Sequence, residues 1–226
     1  MRQYLLGGII ILSRRVVANL ISIAMAIYFL VTRFEFYDRS LSFVIFTVPY
    51  IISNTAVLIM LVLSTFNKPK EVNDSGKMFL VSVLGGNLSI IVGLLGVSIM
   101  GTNINHDISI KASILSVSLI PFYLMAVLTL GRSLTVLPEA NKLKTNGVYK
   151  VTRHPLYFTY IIWYILQVFI CQSWIIVLTT AGQITLQLIR AKNEEAILEN
   201  NFPEYKEYKS KVGWFFKIGA QSTIKG

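Results

Sequence analysis

The sequence predicts an all-α protein, a polytopic transmembrane helical bundle of about six spans. Three observations carry that expectation. Hydrophobic residues make up 54% of the 226-residue chain and charged residues 14%, against about a quarter charged in an ordinary soluble domain. Mean hydropathy is +0.62. The apolar residues fall into six runs of 16 to 26 residues, bracketing the ~20 that a helix needs to cross hydrocarbon. This length leaves room for one bundle and little besides. The single cysteine, Cys171, excludes an internal disulfide and a cysteine metal cluster, and no metal site is expected.

The opening, Arg2, YLLGGIIIL, then Arg14 and Arg15, has basic residues after its apolar run and no small-residue cleavage site, so it reads as an uncleaved interfacial segment. Span one is expected at 16–31 and span two at 41–66, with Pro49 inside it as a kink. The polar loop NKPKEVNDSGK follows. Span three, 78–100, places Gly85, Ser89 and Gly93 at four-residue steps, a smooth face for close helix approach. His106 falls in a solvated loop, and span four is expected at 112–137 with Pro121 inside it.

The character then changes, because GRSLTVLPEANKLKTNGVYKVTRHP is polar, basic and broken by Pro138, Gly147 and Pro155. Span five, 155–170, begins on a proline whose missing N–H costs nothing at a helix start. Gln172 and Ser173 make a tight turn into span six, 174–189. That helix continues out of the membrane past Arg190, Glu194 and Glu195 until Pro203 stops it. The aromatic and basic tail suits the headgroup region.

Six spans put both termini on one side. Of the 21 Lys and Arg, only Arg33, Arg39 and Lys111 fall on the other. This asymmetry puts both termini, the long loop and the Glu194–Glu195 end in the cytoplasm. The net charge of +10 is then a matter of topology and anionic lipid, and no nucleic-acid partner is called for.

A two-residue turn makes spans five and six antiparallel neighbours, so His154, Tyr157, Arg153, Arg190, Glu194 and Glu195 should gather at one depth. Gln183, Gln187, Arg190 and Glu194 step along one helix face as a polar stripe, which inside a span should face the bundle or a cavity. Each residue alone has a plainer reading. Arg153 and Lys150 serve as cytoplasmic anchors, Arg190 and Glu194 as an i,i+4 pair, Glu195 as a solvated face, and His154 as a helix-entrance residue. Their coincidence with the stripe is what points to a polar ligand.

The runs GRSLTVLPEANKLKTNGVYKVTRHPLYFTYI and IRAKNEEAILENNFPEYKEYKSKV resemble the signature of the isoprenylcysteine carboxyl methyltransferase and phospholipid methyltransferase superfamily. These are integral membrane enzymes that use S-adenosylmethionine. The resemblance covers 130–212. It implies a cytoplasmic cofactor pocket with Gly147, Tyr149, Arg153, His154, Pro155 and Tyr157 on one side and Glu194 and Glu195 on the other, and the polar stripe adds Gln187 to the cofactor-binding candidates. Arg190 and Glu194 are the candidate catalytic residues, with Arg190 orienting an anionic acceptor. The resemblance divides the chain into N-terminal spans, 1–110, and a methyltransferase core, 111–226.

The implied acceptor is lipophilic, first an isoprenylcysteine-like carboxylate reaching the site from the bilayer. A phospholipid amine or small thiol is the alternative, and a non-catalytic membrane binding protein or transporter is the rival class. In two places the chain departs from the signature. Gly213 and Trp214 follow Val212 where a proline and a basic residue are common, and Pro203 stands where glycine is common. Spans one to three are left free as an assembly or partner surface, and the oligomeric state is left open.

Overall fold

The apolar runs become helices in the computed structural model, which describes residues 14–28, 31, 41–94, 103 and 105–215, with backbone alone for 41–50, 89–90 and 93–94. The expected interfacial segment before 14, the end of span three and the tail from 216 lie outside the described residues. Helix α1 covers 14–28. It is followed by α2 (Leu41–Thr65), α3 (Gly76–Leu94), α4 (His106–Ser118), α5 (Ile120–Leu130), α6 (Pro155–Cys171), α7 (Trp174–Asn201) and α8 (Tyr205–Lys211). His106 is exposed in the first turn of α4, whose N-cap Asn105 accepts from the Ile108 N–H at 3.2 Å.

The helical expectation is met with one addition and one changed bound. The described residues are mostly helical, and Glu71–Val72 (β1) and Glu139–Ala140 (β2) pair antiparallel. Lys70 N donates to Ala140 O at 2.8 Å and Asn73 N to Pro138 O at 3.1 Å, so two loops that meet on one face satisfy each other's backbone. The span expected over 112–137 is found as one apolar helical stretch, His106–Ser133, in which α4 and α5 meet at Leu119, itself αR, with Pro121 in the first turn of α5. The helix stops at Leu130 because Gly131 turns to φ 54°. The apolar residues beyond it, Leu134, Val136 and Leu137, are instead buried in an irregular loop. Hydropathy counts such residues as span, whereas they pack into the core against Ala18, Leu61 and Val127.

Among the described residues, His106–Ser133 and Trp174–Asn201 are long and apolar enough to cross a membrane, and Ile51–Thr65 and α6 are shorter apolar helices. In a soluble protein such helices would be core. Here Leu128, Leu178 and Trp174 are 60%, 63% and 72% exposed, while Gln183 and Gln187 are buried. Apolar outside and polar inside is the arrangement that lipid, not water, stabilises. This is a membrane protein.

The α6–α7 hairpin turns as the sequence predicts, with Gln172 left-handed at φ 47° and its side chain exchanging hydrogen bonds with the Asn105 backbone at 2.8 and 2.9 Å. Helix α3 packs most extensively on α7, with Gly85 in the contact. A Cβ on Gly85 would meet Leu186 Cβ at 3.2 Å, so the residue's smallness sets the helix separation. That closeness lets Gly85 O accept from Tyr164 Oη at 3.0 Å and from Gln187 Nε2 at 3.1 Å.

Candidate functional site

The mouth of the hairpin is where the polar side chains collect. Residues 147–150 form a single 3-10 turn that begins on Gly147 at φ 57°. A Cβ there would approach Thr129 Oγ1 to 3.0 Å, so glycine is required both by conformation and by space. Three residues on, the Arg153–His154–Pro155 turn starts α6 with Pro155 in its first turn. Chain from beyond α8 closes this turn. Gly213 O and Trp214 O accept from Arg153 N (3.0 Å) and His154 N (3.2 Å), and the Trp214 ring stands edge-on to His154 at 5.0 Å.

The two adjacent glutamates of α7 part company. Glu195 is buried and held from three sides, by His154 Nε2 at 3.0 Å, Arg153 Nη2 at 3.3 Å and Lys209 Nζ at 3.2 Å. Glu194 faces a cleft and accepts from Tyr157 Oη at 2.8 Å. Arg190 does not form the i,i+4 pair with Glu194. Its Nη1 donates to Gln187 Oε1 at 2.7 Å and its Nη2 to Val136 O at 2.8 Å. The guanidinium lies 5.5 Å from the Tyr157 ring centre, and buried Nε has no partner among the described residues. Gln187, bonded to Gly85, Tyr164 and Arg190, orients Arg190 and is not among the cleft's walls.

The cleft has two arms of about 450 and 570 Å³, mouths included, which share Leu130, Ser133, Glu139, Tyr149, Arg153 and Glu194. The outer arm adds Asn141, Lys142, Lys144, Tyr205 and Tyr208. The inner arm adds Leu134, Leu137, His154, Leu156, Tyr157, Tyr160 and Arg190. The outer arm adds two lysines to the shared wall, while the inner arm sets the apolar side chains of Leu134, Leu137 and Leu156 beside His154, Glu194 and two guanidiniums, Arg153 and Arg190. In the shared wall, Arg153 Nε and Nη1 are buried donors without a partner among the described residues. Unspent charged donors in a cleft call for an anion.

Sequence reasoning did not single out Glu139, which lines both arms with 1% of its side chain exposed. Its signal was available, since it is the sole acidic residue between Gly131 and His154. Burial pushes its carboxyl up, and Arg15, Asn141 and Thr135 offset only part of that rise. Arg15 also went unread as a site residue. So did Trp214, whose ring stands edge-on to His154.

Residues 112–200 match the isoprenylcysteine carboxyl methyltransferase (ICMT) family model. Most of the cleft's walls fall in this stretch, with Tyr205 and Tyr208 beyond it. The matched stretch runs from α4 to the end of α7 and holds every predicted site residue, whereas α1, α2, α3 and α8 lie outside it. The superfamily resemblance read from the Arg-His-Pro and Glu-Glu motifs stands, and the ICMT family is one of membrane methyltransferases. No curated protein matches the chain.

Proposed function

We propose that this protein is a multi-pass membrane methyltransferase that binds S-adenosylmethionine in the outer and shared parts of the cleft and admits a lipophilic acceptor to the inner arm. The observation that carries the reading is Arg153, whose two unspent, buried N–H groups lie in the shared wall of an ICMT cleft. They suit the methionine carboxylate. Glu194, which keeps acceptor capacity beside its bond from Tyr157, suits the ribose hydroxyls. Glu195, spent on His154, Arg153 and Lys209, holds the Arg153–His154 turn in place from below. The rings of Tyr149 and Tyr157 offer faces to a sulfonium cation.

The bound cofactor supplies a methyl group on a sulfonium leaving group. The chain supplies orientation and a dry surface. Arg190 Nε has no partner among the described residues, and Arg190 lines the inner arm beside Leu134, Leu137 and Leu156, a placement that suits an acceptor's carboxylate. A carboxylate acceptor needs no base, so in-line positioning and exclusion of water supply most of the rate. An amine acceptor would have to lose a proton, which makes acceptor identity an experimental distinction. The positive-inside asymmetry puts the cleft in the cytoplasm.

Calorimetry of purified protein with S-adenosylhomocysteine tests the cofactor reading: saturable heat is expected, and no heat at millimolar ligand overturns it. Incubation with methyl-labelled cofactor and a panel of prenyl-thiol acids, phospholipid amines and small thiols should label the acids first. Lys144→Cys should react with an impermeant maleimide only from the cytoplasmic side.

A further inference from the structure

Two polar residues on one face of α1 reach into the cleft's wall from outside the family-matched segment. Arg15 is 1% exposed and Asn19 is fully buried, one helical turn later. Arg15 spends its whole guanidinium. Nε and Nη2 take the Glu139 carboxylate at 2.6 and 3.2 Å, and Nη1 and Nη2 reach the Asn67 and Ser64 carbonyls at 2.9 and 2.5 Å, where α2 ends. Asn19 Oδ1 accepts from Val136 N at 3.4 Å. The carbonyl of that same Val136 accepts from Arg190 Nη2 at 2.8 Å. The residue whose carbonyl holds Arg190 is thus held through its own N–H by α1, and Glu139 three residues on is held by the same helix face.

We propose that Arg15 and Asn19 are positioning residues for the methyl-transfer cleft, acting through Glu139 and Val136 on the wall that carries Arg190. Residues 1–110 are on this view a working part of the site, not a detachable assembly surface. Helix α3 adds to the same brace, since Gly85 O holds the Gln187 side chain that holds Arg190 Nη1. The inference rests on the cleft being the cofactor and acceptor site.

The test is S-adenosylhomocysteine affinity, by calorimetry in the full-length protein at a temperature where each variant is folded. A pair that served stability alone would lower the melting temperature and leave affinity unchanged. Arg15→Gln strands a buried carboxylate in the wall and is expected to weaken binding about tenfold. The double variant Arg15→Gln with Glu139→Gln removes the stranded charge and should recover to within about threefold of wild type. Asn19→Ala, which frees only the Val136 N–H, should cost about threefold. Wild-type affinity in folded Arg15→Gln overturns the inference, as does a double variant no better than the single. Should Arg15→Gln fail to fold, Glu139→Gln keeps the Arg15 bonds to α2 and should bind at least about threefold more weakly; unchanged affinity there also overturns it. Failure of the wild type to bind would instead sink the cofactor reading, so the two failures are distinguishable.

Discussion

Two buried arginines flank the cleft and differ in what is left of them. Arg15, in α1, has every N–H engaged by Glu139 and by carbonyls at the end of α2. Arg153, at the start of α6, is tied only through Nη2 to Glu195 and keeps Nε and Nη1 unspent. Burial alone therefore does not mark a ligand contact. A guanidinium whose five donors are spent inside the protein is scaffold, and one held by a single edge is poised for something that arrives later. Arg190 lies between the two cases, with Nη1 and Nη2 engaged by Gln187 and Val136 and Nε without a partner among the described residues.

That contrast is broken most directly at the spent arginine. Arg15→Met removes one partner of a buried ion pair and should cost about 3–5 kcal/mol of stability, read as a lower melting temperature in detergent. The reciprocal change at the unspent arginine should show up in binding. Arg153→Gln removes charged donors for an anion worth about 1.5–3 kcal/mol, or roughly ten- to 150-fold in S-adenosylhomocysteine affinity. Its effect on melting should be the smaller of the two, because in the empty cleft two of its N–H groups have nothing to lose. If Arg153→Gln lowers melting as much as Arg15→Met and leaves affinity intact, the contrast is wrong.

The difference between the arginines was not legible in the sequence, although their setting was. The hairpin was, because two apolar runs part only at Gln172 and Ser173 and Pro203 ends the second. Antiparallel geometry then had to bring His154 and Tyr157 to Glu194 and Glu195, and it does. Which glutamate faces the cleft was hidden, since adjacent helical residues differ only in which neighbours they meet. Arg15 was hidden because a basic residue beside an apolar run looks the same whether it anchors to headgroups or pairs inward. Its partner Glu139 is 124 positions away. The β1–β2 pairing was hidden too, as two-residue strands carry no alternation to detect.

Two milder changes sharpen the picture on the Arg153 side, where backbone geometry adds to the Glu195 ion pairs in positioning the wall. Gly147→Ala adds a Cβ at φ 57°, 3.0 Å from Thr129 Oγ1. Left-handed strain of about 1–2 kcal/mol should appear as reduced stability, together with weaker binding because Tyr149 follows two residues on.

The smallest expected effect is at Tyr208→Phe. The Tyr208 hydroxyl donates to Tyr149 O at 2.6 Å, tying α8 over the outer arm to the turn that Gly147 begins. Both rings line that arm. The lost bond is worth about 0.5–1.5 kcal/mol, and the ring itself remains, so the wall keeps its shape while its tether slackens. Affinity for S-adenosylhomocysteine should fall by roughly two- to tenfold, chiefly through faster release as α8 swings out more often. Stopped-flow dissociation separates this from a loss of contact. An unchanged off-rate would mean that the Lys209 pairs to Glu195 and Glu199 hold α8 without help, making charge the tether on this side of the cleft as well.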